Sequence, residues 1–256
     1  MYRARSEFVL PSRSLKPILL PGSHLNTGGD TFCRCIQCII FETEKQFLMK
    51  GISKFISMIE LAREQVQYGY FLAGVTRQET SNLAEHHYLV TIIAWMLCEY
   101  INREEKFINT DEVIKMCLVH DLGELFGGDM SAPLARKWPD LKQHALAFEQ
   151  GNFNILMSLL DPAIACTVKD LWTKESEHAT DEAVVAKIAD LMETHFFLEH
   201  RGIQNEQKDG FYLNHIRPLV EKIIHEQIRA RANEFFDDFE ANIKNKGFTP
   251  SQWIME

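Results

Sequence analysis

From Met49 to about Asn245 the apolar residues recur at spacings of three and four rather than two. That period gathers them on one face of an α-helix, and no alternating run long enough to build a sheet interrupts it. Ile52, Phe55, Ile56, Ile59 and Ala62 form the first stripe and predict a helix over 50–67. Residues 68–79 (YGYFLAGVTRQE) hold two glycines and read as a loop. Asn82, with Glu85 three residues on, has the pattern of a capping box and predicts a helix to about Ile101. Thr110 is the expected cap of the next, whose first-turn Asp111 and Glu112 suit the positive helix end. That helix is predicted to stop at Gly127-Gly128. Pro133 and Pro139 mark a loop, and helices are predicted over roughly 140–160, 162–173, 181–200 and 214–245, the last ended by Gly247 and Pro250. The fold class is all-α, without an internal repeat.

Residues 1–48 differ from the rest. They are rich in Pro, Gly, Ser and Thr and show no sustained period, so a poorly ordered, irregular N-terminal extension is expected, followed by one domain over 49–256. Cys33, Cys35 and Cys38 form a cluster in which a zinc or iron-sulfur site would need a fourth ligand, and His24 is the only one nearby. The expectation is an extension without a metal. A start of the native protein at Met49 is a further reading of this boundary, which intact mass of the endogenous protein would test.

The formal net charge of -9 and pI of about 5.6 argue against nonspecific binding to nucleic acid polymers. They leave small anions open, because a bound metal reverses the local field. No apolar run reaches the roughly 18 residues that span a bilayer. Cys98, Cys117 and Cys166 lie in apolar helical patterns, where a thiol acts as a small hydrophobe. A soluble, cytoplasmic protein without a membrane partner is expected.

The stretch CLVHDLGELFGGD, Cys117–Asp129, places His120, Asp121, Glu124 and Asp129 at the end of an apolar pattern. On a continuous helix His120 and Glu124 share a face, and His120 and Asp121 point about 100° apart, so both can border one cavity. Burying such a set is costly unless it is compensated, and a divalent cation compensates with neutral imidazole and ionised carboxylate as ligands. Further ligands must come from elsewhere. His86 and His87 lie early on one apolar helix, and Asp190 is the only acid in the apolar run from Ala183 to Met192. Lys187, three residues before Asp190, is equally consistent with an exposed ion pair.

The order His, His-Asp, lone Asp resembles that of the HD-domain metal-dependent phosphohydrolases. HDLGELFGGDMSAP, AEHHYLV, TRQETSNLAEH and KIADLMET are similar to the 5′-deoxynucleotidase branch, over roughly residues 65 to 205. The resemblance implies an HD-domain helical bundle in which His86, His120, Asp121 and Asp190 ligate one divalent ion (Mn, Co, Mg, Zn or Fe). It selects His86 over His87 because the ligand directly follows the Glu. It implies that Glu124 is the acid/base carboxylate, that Asp129 lines the substrate site, and that Arg77 contacts phosphate; otherwise Arg77 is a solvated loop residue. The implied activity is phosphate release from deoxyribonucleoside 5′-monophosphates, and the implied partners are a nucleotide substrate and a second copy of the chain in a homodimer. Another phosphoester as substrate, or a silent nucleotide-binding module, are the alternatives. The chain has no P-loop, no dinucleotide fingerprint, no H-E-x-x-H and no G-x-S-x-G. The other histidines, and Trp95, Trp138 and Trp172, are expected to be surface or packing residues, the tryptophans core in preference to base-stacking platforms.

Overall fold

A computed structural model describes residues 48–203 and 211–246 of the chain. Helix α1 spans 48–59 and tightens into a 3₁₀ turn at Glu60–Arg63. A second 3₁₀ segment, Tyr68–Ala73, lies in the expected loop. The main helices are α2 (Leu83–Ile101), α3 (Thr110–Val119), α4 (Ala132–Lys137), α5 (Pro139–Met157), α6 (Pro162–Glu177), α7 (Asp181–His200), α8 (Phe211–Val220) and α9 (Glu226–Lys246). Among the described residues no strand forms, only an isolated bridge between Val66 and Asn82. None of their helices is long and apolar enough to cross a membrane. The extension over 1–47, with its cysteine cluster and His24, lies outside the described residues.

Helix α7 is the axis of the bundle. Ala183, Val184, Val185, Ile188, Ala189 and Met192 are all buried, so the helix is apolar nearly all round, as a central helix must be. It packs against α2, α3, α6 and α8, while α9 lies on α2. Fully burying a side chain such as Ile188 or Val185 contributes about 1.5–3 kcal/mol. A second cluster, around Phe153, Leu156 and Trp172, sits beneath α5 and α6 and reaches Leu83 and Leu122.

Two predicted helices prove to be broken. The one expected to reach Gly127-Gly128 ends at Val119, and only a 3₁₀ turn, Leu122–Glu124, follows. The one expected over 214–245 is α8 and α9. Pro218, inside α8, lacks the N–H that would continue the ladder. Beyond the break, the Asp181 carboxylate accepts from the backbone N–H of Ile224 at 2.7 Å and of His225 at 2.9 Å. Arg217 then clamps α8 to α9 through Asp237 at 2.6 Å and Glu240 at 3.0 Å.

Of the tryptophans, Trp172 is core, stacked on Phe153 at 4.4 Å. Trp95 and Trp138 are 44% and 46% exposed, which corrects the expectation of packing. Trp95 lies on the outer side of α2 and donates to Glu99 at 3.1 Å. Trp138 carries the Lys137 ammonium over its ring at 4.7 Å.

Candidate metal centre

The local fold sets the geometry before any ion is considered. Asn82 accepts from the Glu85 N–H at 2.9 Å and Glu85 accepts from the Asn82 N–H at 3.2 Å, the expected capping box. This fixes the first turn of α2, and His86 follows in it with 2% exposure. Helix α3 stops where its last carbonyls meet side chains. The Cys117 carbonyl accepts from the His120 ring Nδ1 at 2.9 Å, and the His120 carbonyl accepts from the Trp172 indole at 2.9 Å. Asp121 then leaves helical geometry, with φ -104° and ψ 18°. His120 and Asp121 are therefore presented at a helix end, not on a continuous face.

His86, His120 and Asp121 offer ligand atoms that all lie within 4.8 Å of one another. His86 Nε2 is 3.3 Å from His120 Nε2 and 3.5 Å from Asp121 Oδ2. His120 Nε2 is 3.1 Å from the same Asp121 oxygen. Asp190 joins from α7, with Oδ1 at 3.2 Å from His86 Nε2 and 3.8 Å from His120 Nε2. Its other oxygen pairs with Lys187 at 2.6 Å, and with the Asp190 side chain only 14% exposed this corrects the reading of an exposed ion pair. His87 is buried, its ring 4.9 Å from that of His120. Burial, then the charge of His120, pushes His87 down to about 3, which keeps it neutral.

The donor chemistry fits a cation. A carbonyl only accepts, so His120 carries its proton on Nδ1. Glu193 Oε2, 2.7 Å from His86 Nδ1 and already taking the Tyr70 hydroxyl at 2.9 Å, is an acceptor there and matches the same tautomer. In the neutral rings both Nε2 lone pairs then face each other at 3.3 Å, an arrangement that only a proton or a metal ion between them relieves. Burial opposes charge on both imidazoles, but the surrounding carboxylates, Asp121 and Asp190 foremost, outweigh it and raise both. Burial likewise pushes Asp121 and Asp190 up. The neighbouring histidines, and Lys187 for Asp190, outweigh it and hold both well below the carboxylate range.

A cleft of about 340 Å³ opens on these groups, lined among others by Glu124, Asp129, Ser131, Arg136, Lys187 and the 68–73 segment. Burial first, then the charges of Asp121, Asp129 and Glu149, pushes the Glu124 carboxyl well above the usual range. Asp129 is also raised by burial, although the Gly69 N–H donates to it at 2.7 Å. Gly127 and Gly128, with φ of 98° and 114°, make the turn that returns Asp129 to the cleft. Arg77 is exposed and does not line the cleft; Arg136 on α4 does. Arg136, Tyr70 and Glu193 escaped the sequence reading. Arg136 sits on a short helix inside a proline-marked loop, and Tyr70 in a segment read as loop. Glu193 carried a signal, an acid three residues beyond Asp190.

The 3₁₀ turn bearing Glu124 lies directly on α5. A Cβ on Gly123 would meet Glu149 Cγ and would stand 2.8 Å from the Glu149 carbonyl oxygen. Asn152 completes the contact by donating to the Gly123 carbonyl at 2.9 Å. Gly123→Ala is expected to destabilise the protein by about 1–3 kcal/mol, the usual range for forced overpacking, read as a lower chemical-denaturation midpoint. An unchanged midpoint would show that α5 yields freely.

A family model described as an HD domain matches residues 63–244. The chain belongs to the HD-domain family. It is 25% identical over 146 residues to a 5′-deoxynucleotidase of Xenopus laevis, a match covering 56% of this chain and 66% of the relative. It is 28% identical over 115 residues to a 5′-deoxynucleotidase of Pasteurella multocida, covering 44% and 58%. Both matches thus span less than two thirds of the relative's length. Among solved structures, a conserved hypothetical protein of Pyrococcus furiosus aligns with TM-score 0.55 at 22% identity, covering 73% of this chain and 98% of its own. One from Magnetospirillum magnetotacticum, described as a predicted metal-dependent phosphohydrolase, aligns with TM-score 0.51 at 21% identity, covering 75% and 92%. At such identities the structural likeness establishes the fold.

Proposed function

We propose that the chain is a metal-dependent phosphomonoester hydrolase, a 5′-nucleotidase acting on deoxyribonucleoside 5′-monophosphates. The observation that carries the reading is the pair of Nε2 atoms facing each other at 3.3 Å with Asp121 and Asp190 against them. His86, His120, Asp121 and Asp190 would hold one divalent ion, for which Mn, Co, Mg, Zn and Fe are the candidates. Such an ion supplies an acidified water nucleophile and a Lewis acid for a phosphoryl oxygen. The names of the two relatives support the choice of deoxynucleotide, and a cleft of about 340 Å³ is of a size for small-molecule binding.

The chain's own groups divide the remaining work. Glu124 retains its proton to a higher pH than an ordinary glutamic acid, so it is suited to protonate the leaving 5′-oxygen. Arg136 and Lys187 give the cleft positive charge for a phosphate, and a guanidinium binds two phosphate oxygens at once. Arg136 thereby takes the contact that the resemblance implied for Arg77. Asp129, tied to the Gly69 N–H, faces the same space and is suited to accept from a sugar hydroxyl.

Arg136→Ala is expected to raise KM roughly 10- to 100-fold, since a hydrogen bond to a charged group contributes about 1.5–3 kcal/mol. Arg77→Ala should leave KM unchanged; the reverse pattern in steady-state kinetics would move the phosphate contact to Arg77. The substrate reading is tested with a panel of deoxy- and ribonucleoside 5′-monophosphates. Faster phosphate release from the deoxy series supports it. Equal rates for both sugars, or release only from other phosphoesters, would reject it.

A further inference from the structure

Glu193 lies on α7 one turn beyond Asp190, is 2% exposed, and belongs to no step of the hydrolysis described above. A carboxylate so deeply buried needs partners for its charge. Its Oε2 accepts from His86 Nδ1–H at 2.7 Å and from the Tyr70 hydroxyl at 2.9 Å. Tyr70 is itself buried and stacked on Phe197, ring centroids 4.1 Å apart and planes 19° apart. It stands on the 68–73 segment that lines the cleft, and the neighbouring Gly69 N–H holds Asp129 at 2.7 Å. Two backbone neighbours thus connect one cleft wall to two acids, Asp129 and Glu193.

An imidazole offers either nitrogen to a metal, and the partner of the other nitrogen decides which. Without Glu193 the His86 Nδ1–H loses the acceptor it has at 2.7 Å, and its tautomer and rotation are both released. We propose that Glu193, oriented by Tyr70, is a positioning residue that locks His86 with Nε2 toward Asp121 and Asp190 and so sets the affinity for the divalent ion. This rests on the metal reading given above. Tyr70 makes the lock sensitive to the cleft wall, because the same short segment carries it and Gly69.

The test is calorimetric titration of the metal-stripped full-length protein with Mn²⁺ and with Co²⁺, for wild type, Glu193→Gln and Tyr70→Phe. Melting temperatures of the metal-free proteins are measured alongside. Glu193→Gln keeps an accepting oxygen of the same shape and removes the charge. It is expected to raise both Kd values about 10- to 100-fold, the range for losing a carboxylate behind a ligand histidine, and to shift the visible absorption of bound Co²⁺. Tyr70→Phe should raise Kd a few-fold and, because it removes one partner of a buried carboxylate, lower the metal-free melting temperature, whereas that of Glu193→Gln should stay near wild type. Kd values within twofold of wild type in Glu193→Gln would overturn the assignment. So would a melting temperature that falls while affinity stays, which is the behaviour of a core residue. No uptake of either ion by wild type would instead overturn the metal reading, and the positioning role with it.

Discussion

Asp121→Ala is expected to abolish both metal uptake and turnover. Asp121 Oδ2 lies against both imidazoles, 3.1 Å from His120 Nε2 and 3.5 Å from His86 Nε2. Removing it deletes one of the proposed ligands and leaves two buried rings short of negative charge. Losing one partner of a buried ionic group typically costs about 3–5 kcal/mol, which corresponds to roughly 10²- to 10⁴-fold in affinity. Titration of the metal-stripped variant, with phosphate release assayed beside it, reads both effects. Asp121→Asn keeps the volume and guards against a folding defect. Full activity in either variant would remove the metal from the account.

Glu124→Gln should separate the two functions that Asp121 joins. Glu124 is outside the proposed ligand set, so metal affinity should stay near that of wild type. Loss of a general acid lowers kcat about 10²- to 10⁴-fold. The pH dependence carries a sign. Burial and the neighbouring carboxylates raise the Glu124 carboxyl, so the acid form persists above the usual range and is lost as pH rises through the raised pKa. A cation at the ligands cancels part of the Asp121 charge and so counters part of that rise. The rate of wild type should therefore fall on the alkaline side, and Glu124→Gln should flatten that limb at a low plateau. A variant with wild-type kcat would assign the proton transfer elsewhere.

Much of this arrangement was legible in the residues, for identifiable reasons. The capping box at Asn82 and Glu85 is local chemistry, so the start of α2 followed from the sequence. The apolar run of α7 marked Asp190 as an unusual acid, but the run alone left it open between a ligand and an exposed ion pair with Lys187. Where sequence reasoning failed, distant groups decided. Helix α3 ends at Val119 because the carbonyls of Cys117 and His120 are taken by the His120 ring and by Trp172, which is 52 residues away in sequence. That contact cannot be read from a period of 3.6. Pro218 was a local signal against one unbroken helix over 214–245, although α8 runs on through it to Val220. Arg136 lay in a stretch whose prolines signal a loop, and only the folded chain brings it to the cleft.

The most direct measurement is phosphate release from deoxyribonucleoside 5′-monophosphates by the metal-stripped protein, before and after adding back Mn²⁺, Co²⁺, Mg²⁺ or Zn²⁺ singly. A metal-dependent hydrolase gives no release without metal, recovers it with at least one cation, and gives none in Asp121→Ala. Release that is indifferent to metal removal, or tight metal uptake with no phosphate released under any cation, would contradict that reading.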